Sequence, residues 1–101
     1  MKGSMQQLMK QANQLQTRMK KLQAELAEKT YEGTSGGGVV KVTVKGENVL
    51  TALVISDELF KDGDREMLQD LILTATNEAL KTAKEESKKA MEALTGNANL
   101  A

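Results

Sequence analysis

The chain has 101 residues, with 14 basic and 14 acidic side chains, 40% hydrophobic residues, and no histidine, cysteine or proline. Without thiols or imidazoles, disulfides, thiolate nucleophiles, zinc centres and histidine-based acid–base catalysis are excluded, and a formal net charge of zero selects no partner. One small domain of this length buries only roughly 60–65% of its unfolded surface, so an oligomer is expected; with no apolar run long enough for a membrane span or signal peptide, so is a soluble, cytoplasmic protein.

The first element is a helix. Between Met5 and Leu26 the apolar residues Met5, Leu8, Ala12, Leu15, Met19, Leu22 and Leu26 follow steps of three and four, an unbroken heptad seam. At 100° per residue the seam lies about 165° from Lys10, with Lys21 about 20° from Lys10 and Arg18 and Lys20 about 80° to either side. Residues 1–24 contain Lys2, Lys10, Arg18, Lys20 and Lys21 and no carboxylate, so residues 1–28 form a basic helical arm.

A small sheet is expected over 29–56. Tyr31 and its neighbours suit a short first strand. Val40, Val42 and Val44 alternate with Lys41, Thr43 and Lys45, the period of a half-buried strand, and Gly46–Asn48 supplies a tight turn. Val49–Ile55, VLTALVI, is apolar on both faces and predicts a strand covered on both sides. Gly36–Gly38 poses a separate question. Gly33 and Gly38 have the spacing of a phosphate-binding loop, but Val39 and Val40 stand where Lys and Ser/Thr would be needed, and the loop leads into a strand instead of a helix N-terminus. A turn with positive φ is the expectation.

A long helix follows over 64–95, with a stripe of Leu68, Leu71, Ile72, Ala75, Ala79 and Ala83, Asp64 as its N-cap, Gly96 as its stop and 96–101 as a frayed tail. Asp62, Asp64 and Glu66 imitate half of a calcium loop, but Met67 and Leu73 occupy its required glycine and glutamate positions. Serines lack a base, and carboxylate pairs such as Glu85 with Glu86 are helix-surface neighbours. No enzyme, metal, cofactor or small-molecule substrate is expected. The arm is the candidate site. Its cations are joined by six glutamines able to hydrogen-bond phosphate or sugar, and with Tyr31 and Phe60 as the only aromatics there is no stacking platform for single strands.

Three segments, LMKQANQLQTRMKKLQAEL (Leu8–Leu26), GGGVVKVTVKGE (Gly36–Glu47) and EMLQDLILTATNEALKTAKEE (Glu66–Glu86), resemble in order and spacing the YbaB/EbfC family of bacterial nucleoid-associated proteins. The resemblance covers nearly the whole chain. It implies an α+β fold, α-β-β-β-α with a small antiparallel sheet flanked by two long helices, in an intertwined homodimer that grips double-stranded DNA between helical arms. The family's basic arm positions carry over to Lys10, Arg18 and Lys21; Lys20 is an additional cation. Ser56 and Asp57 replace the family's frequent Asp-Pro, and the Gly/Pro-rich tail of many relatives is nearly absent, so no contact through such a tail carries over.

The expected function is therefore non-enzymatic duplex binding in the cytoplasm and nucleoid through Lys10, Arg18, Lys20 and Lys21. Lys84, Lys88 and Lys89 are second-rank candidates because neighbouring carboxylates offset them, as in a Glu85–Lys89 pair. Leu53 and Ile55 are the candidate dimer contacts. The competing reading is an adaptor or holdase resembling prefoldin, whose arms need matching heptads on both helices; the second helix has no strict one.

Overall fold

A computed structural model describes residues 2–99. The order is α1 (Lys2–Glu28), β1 (Thr30–Ser35), a three-residue turn of 3-10 helix (Gly36–Gly38), β2 (Val40–Lys45), β3 (Val49–Ile55), α2 (Asp57–Asp62) and α3 (Arg65–Asn99). The strands form one antiparallel sheet in the order β1-β2-β3. This is the expected helix, three strands and long helix, with α2 added.

Each long element forms for a local reason. Asp64 accepts a hydrogen bond from the Met67 N–H at 3.0 Å and caps α3, as its position predicts. α2 is the unexpected element. Ser56 caps it by accepting from the Leu59 N–H at 3.2 Å, Asp57 and Glu58 suit the positive end of its dipole, and Gly63 ends it in the left-handed conformation. Nor does α3 stop at Gly96. That glycine keeps helical geometry and the helix continues to Asn99, a tolerated cost of roughly 1 kcal/mol for an interior glycine. The expected tail is thus helical over 96–99, and Leu100 and Ala101 lie outside the described residues.

Alternation along the strands places one sheet face against α3. Val40, Val42 and Val44 are fully buried there, beside Tyr31 and the small residues Ala75, Ala79 and Ala83 of the helix, and Leu59 closes the core at one end. The spacing by four puts the three alanines on one line of α3. That line lets the helix come close. A Cβ at Gly33 would collide with the Ala75 carbonyl oxygen and the Ala79 nitrogen, so β1 meets the α3 backbone directly. Ser35 fixes the same contact by donating to the Leu71 carbonyl oxygen at 2.6 Å.

α3 packs on β1 and β2, and β3 is left as an open edge. Val49, Leu50, Leu53 and Val54 are exposed to between 45% and 59%. The expected cover on both sides of this strand is therefore not supplied by its own chain. A bulge opposite Thr43 and Val44 shifts the register so that Thr43 faces Ala52 while Val44 faces Leu50, leaving Thr51 as the extra residue. Apolar side chains consequently stand on both faces of the edge.

The glycine loop is a turn, as expected. Gly36, Gly37 and Gly38 take φ of 59°, 72° and 97°. An alanine at Gly37 meets no atom within 4 Å and pays only for its backbone, whereas one at Gly33 strikes the main chain of α3. Gly37→Ala should therefore lose about 1 kcal/mol and Gly33→Ala clearly more, about 2–3 kcal/mol, in urea unfolding. Equal losses would show that the close approach of β1 to α3 is not what restricts Gly33.

Candidate nucleic-acid interface

The arm is built outward from a fixed root. The Lys45 ammonium meets Glu28 at 3.1 Å, the Gly46 N–H donates to the Lys29 carbonyl at 2.9 Å, and the Glu47 N–H donates to the Ala27 carbonyl at 3.3 Å. Leu26 is buried there, and a Cβ at Gly46 would strike its carbonyl oxygen. The β2–β3 turn thus clamps the last turn of α1. From that root 27 residues extend about 40 Å, and the molecule measures 74 × 22 × 15 Å.

Only part of the seam is covered. Leu15, Met19 and Leu22 are half-buried, while Met5 and Leu8 remain more than 60% exposed. α3 supplies the cover by running back alongside α1, so that Leu94 shares a groove with Leu8, Ala12 and Leu15.

All four arm cations, Lys10, Arg18, Lys20 and Lys21, are exposed. The ion pairs among the described residues are Lys45–Glu28 and Lys89–Glu86, so none of the four is paired with another described residue. Lys10 and Lys21 stand about 16 Å apart along one side of the helix, within reach of several consecutive phosphates. Arg18 sits nearer the seam: it borders the groove beside Leu94.

The second-rank cations separate. Lys84 borders a groove with Asn48, Leu50 and Ala83 at the open edge of the sheet. Lys89 lies 4.0 Å from Glu86, one turn back, instead of pairing with Glu85. Lys88 is exposed. Of the expected dimer contacts, Leu53 is 45% exposed, whereas Ile55 is half-buried and packs against the core of its own chain.

Among the described residues no group of three or more metal-ligating side chains comes together, and no helix is long and apolar enough to cross a membrane. What the arm offers is fixed positive charge on an exposed rod, suited to contacting a polyanion without reading base edges.

The YbaB/EbfC DNA-binding family matches residues 1–98. A nucleoid-associated protein of Clostridium acetobutylicum is 46% identical over 98 residues, covering 97% of this chain and 88% of its own. Another, from Pelotomaculum thermopropionicum, is 46% identical over 97 residues, covering 96% and 92%. The crystal structure of an uncharacterized protein of Helicobacter pylori superposes with a TM-score of 0.68 at 27% identity, over 83% of this chain and 88% of that one. The chain belongs to the YbaB/EbfC DNA-binding family.

Proposed function

We propose that the protein is a non-enzymatic homodimer that binds double-stranded DNA at the nucleoid, gripping the phosphate backbone with Lys10, Arg18, Lys20 and Lys21 of two α1 arms. The observation that carries this reading is the set of exposed cations that have no ion-pair partner among the described residues, on a rod whose first 24 residues hold no carboxylate. The names of the relatives, nucleoid-associated proteins, support the same partner and the same location. A role in organising the nucleoid or in regulation follows from coating duplex with little regard to sequence, because the arm has few base-reading groups beyond its glutamines.

The dimer is proposed from what one chain leaves uncovered. β3 is apolar on both faces with its edge unpaired, and a chain this small cannot leave such a strand in water without risk of aggregation. A second copy covers the strand and the outer seam together and presents two arms. Light scattering should give twice the 11.0 kDa chain mass. Leu53→Asp should disrupt assembly and stability together by several kcal/mol, as an uncompensated charge at a buried contact does. Ile55→Asp is the less selective variant, because it also enters the core of its own chain. A folded wild-type monomer at micromolar concentration would refute the dimer.

DNA binding should follow charge. Four cations on each of two arms allow at most eight phosphate contacts, and six simultaneous contacts give a slope of log affinity against log salt of about −5. Between 50 and 200 mM salt the affinity should then fall about 10³-fold, much more than it varies among duplexes of different sequence. Lys10→Glu with Lys21→Glu should weaken binding to all duplexes alike and flatten the slope by about 0.9 for each phosphate that is no longer neutralised. Lys41→Glu is the control on the sheet; Lys45 is unsuited to that purpose because it holds Glu28 at the arm root. Wild-type binding by the arm variant, or abolished binding in the sheet variant, would refute the arm as the contact surface, and no binding by the wild type would favour the adaptor reading.

A further inference from the structure

α1 joins the sheet through one connecting residue, Lys29, and ends without the glycine or the basic last turn that commonly satisfies a helix C-terminus. The β2–β3 turn takes their place. Glu47 donates its N–H to the Ala27 carbonyl at 3.3 Å and Gly46 to the Lys29 carbonyl at 2.9 Å, while the Lys29 N–H bonds the Glu25 carbonyl at 3.1 Å. Contact this close depends on the missing side chain at 46. A Cβ there would strike the Leu26 carbonyl oxygen and lie 2.8 Å from its carbonyl carbon and 3.4 Å from the Ala27 Cα, all main-chain atoms that cannot swing aside.

Gly46 differs in kind from Gly36, Gly37 and Gly38. Those three hold positive φ, and Gly46 does not, so an alanine at 46 suits the turn and strikes only the arm. The turn itself is fixed. β2 and β3 pair as far as Lys45 and Val49, and the Asn48 N–H closes the turn on the Lys45 carbonyl at 2.9 Å. The arm is the part that yields, because α3 covers only some of its seam.

On the reading that the arm contacts duplex, we propose that Gly46 is a positioning residue for DNA binding: by admitting the last turn of α1, it sets the direction in which the arm presents Lys10 and Lys21. The arm works as a lever. Leu26 lies about 6 Å along the helix from the half-buried Leu22, and Lys10 lies about 18 Å from Leu22 on the other side. Relieving the collision takes about 1 Å at Leu26, which a swing about Leu22 turns into about 3 Å at Lys10. That shift is close to the roughly 3.4 Å between successive charges along one DNA strand, so the outermost cation of each arm loses its phosphate although every cation is still present.

The Lys45–Glu28 pair, at 3.1 Å, acts on the same joint. At 100° per residue Glu28 lies in line with Lys10 and about 20° from Lys21. Glu28→Lys therefore adds a cation to the side that faces duplex while setting two ammonium groups against each other at the root. Charge alone predicts tighter binding from this variant, and the lever predicts weaker binding.

Salt titrations of binding to a short duplex, with urea unfolding of the same proteins, test the assignment. Gly46→Ala should lower affinity more than tenfold at about 0.1 M salt and flatten the slope of log affinity against log salt by about 1.8, two phosphates at about 0.9 each. Gly37→Ala, destabilising but at the opposite end of the sheet, should keep the wild-type slope, so loss of stability alone does not move this readout. Where Gly46→Ala is too unstable to measure, Glu28→Lys should weaken binding in spite of its added charge, and combining it with Lys45→Glu should restore the wild-type slope. An unchanged slope in folded Gly46→Ala, or tighter binding by Glu28→Lys, would overturn the role of Gly46 while weakened binding by Lys10→Glu with Lys21→Glu upholds the arm. Wild-type binding by that arm variant would remove the arm reading itself, and the role of Gly46 with it.

Discussion

The close approach of α3 to β1 and β2 is the constraint from which the rest of the structure follows. It depends on small residues meeting: Gly33 against the α3 backbone at Ala75 and Ala79, with Ala83 continuing the line. Side chains that would normally separate a helix from a sheet are missing there, so the three valines of β2 reach the helix and are completely buried. A helix set so tightly over two strands cannot also cover the third. The open β3 edge, the most apolar strand in the chain, is the direct consequence.

The same placement creates the arms. α3 is anchored on the sheet through its first half, so its second half runs past the sheet and lies beside α1. α1 is held at its root by Leu26, the Gly46 main chain and the Lys45–Glu28 pair, contacts that fix its direction without covering its outer surface. A helix clamped at one end and supported along half a seam is a stiff carrier for charge. Its four cations are exposed, and no carboxylate precedes Glu25 along the arm.

Much of this is legible in the sequence because it is local. The heptad spacing from Met5 to Leu26, the alternation through β2, the Gly46–Asn48 turn and the Asp64 cap each depend on a few neighbouring residues, and each is found as expected. α2 escapes such a reading although its signals are equally local: Ser56 before two acids, and Gly63 at the close. The next acids, Asp62, Asp64 and Glu66, suit capping of the following helix and imitate a calcium loop, which conceals a separate turn of helix before it. Gly96 misleads in the opposite direction, since a glycine stops a helix only where it turns left-handed. Cover for β3 cannot be assigned to an element from pattern alone, because an apolar strand looks the same whether its own chain or another one buries it. The arm cations lie where 100° spacing puts them, but whether they form ion pairs with other described residues depends on how α3 passes α1, a tertiary property. The partner of Lys89 is Glu86 instead of Glu85 for a similar reason: spacings of three and four are both neighbours on a helix, and the side-chain path decides between them.

The central claim is that duplex DNA is held by the arm through charge. Backbone amide chemical shifts followed by NMR during titration with a short duplex address it residue by residue, with no substitution and no assumption about affinity. The largest changes should fall between Lys10 and Lys21 on α1, should appear equally with duplexes of unrelated sequence, and should fade as salt is added. Changes centred on Lys41 and Thr43 of the sheet, or on α2, with α1 unaffected, would contradict the account.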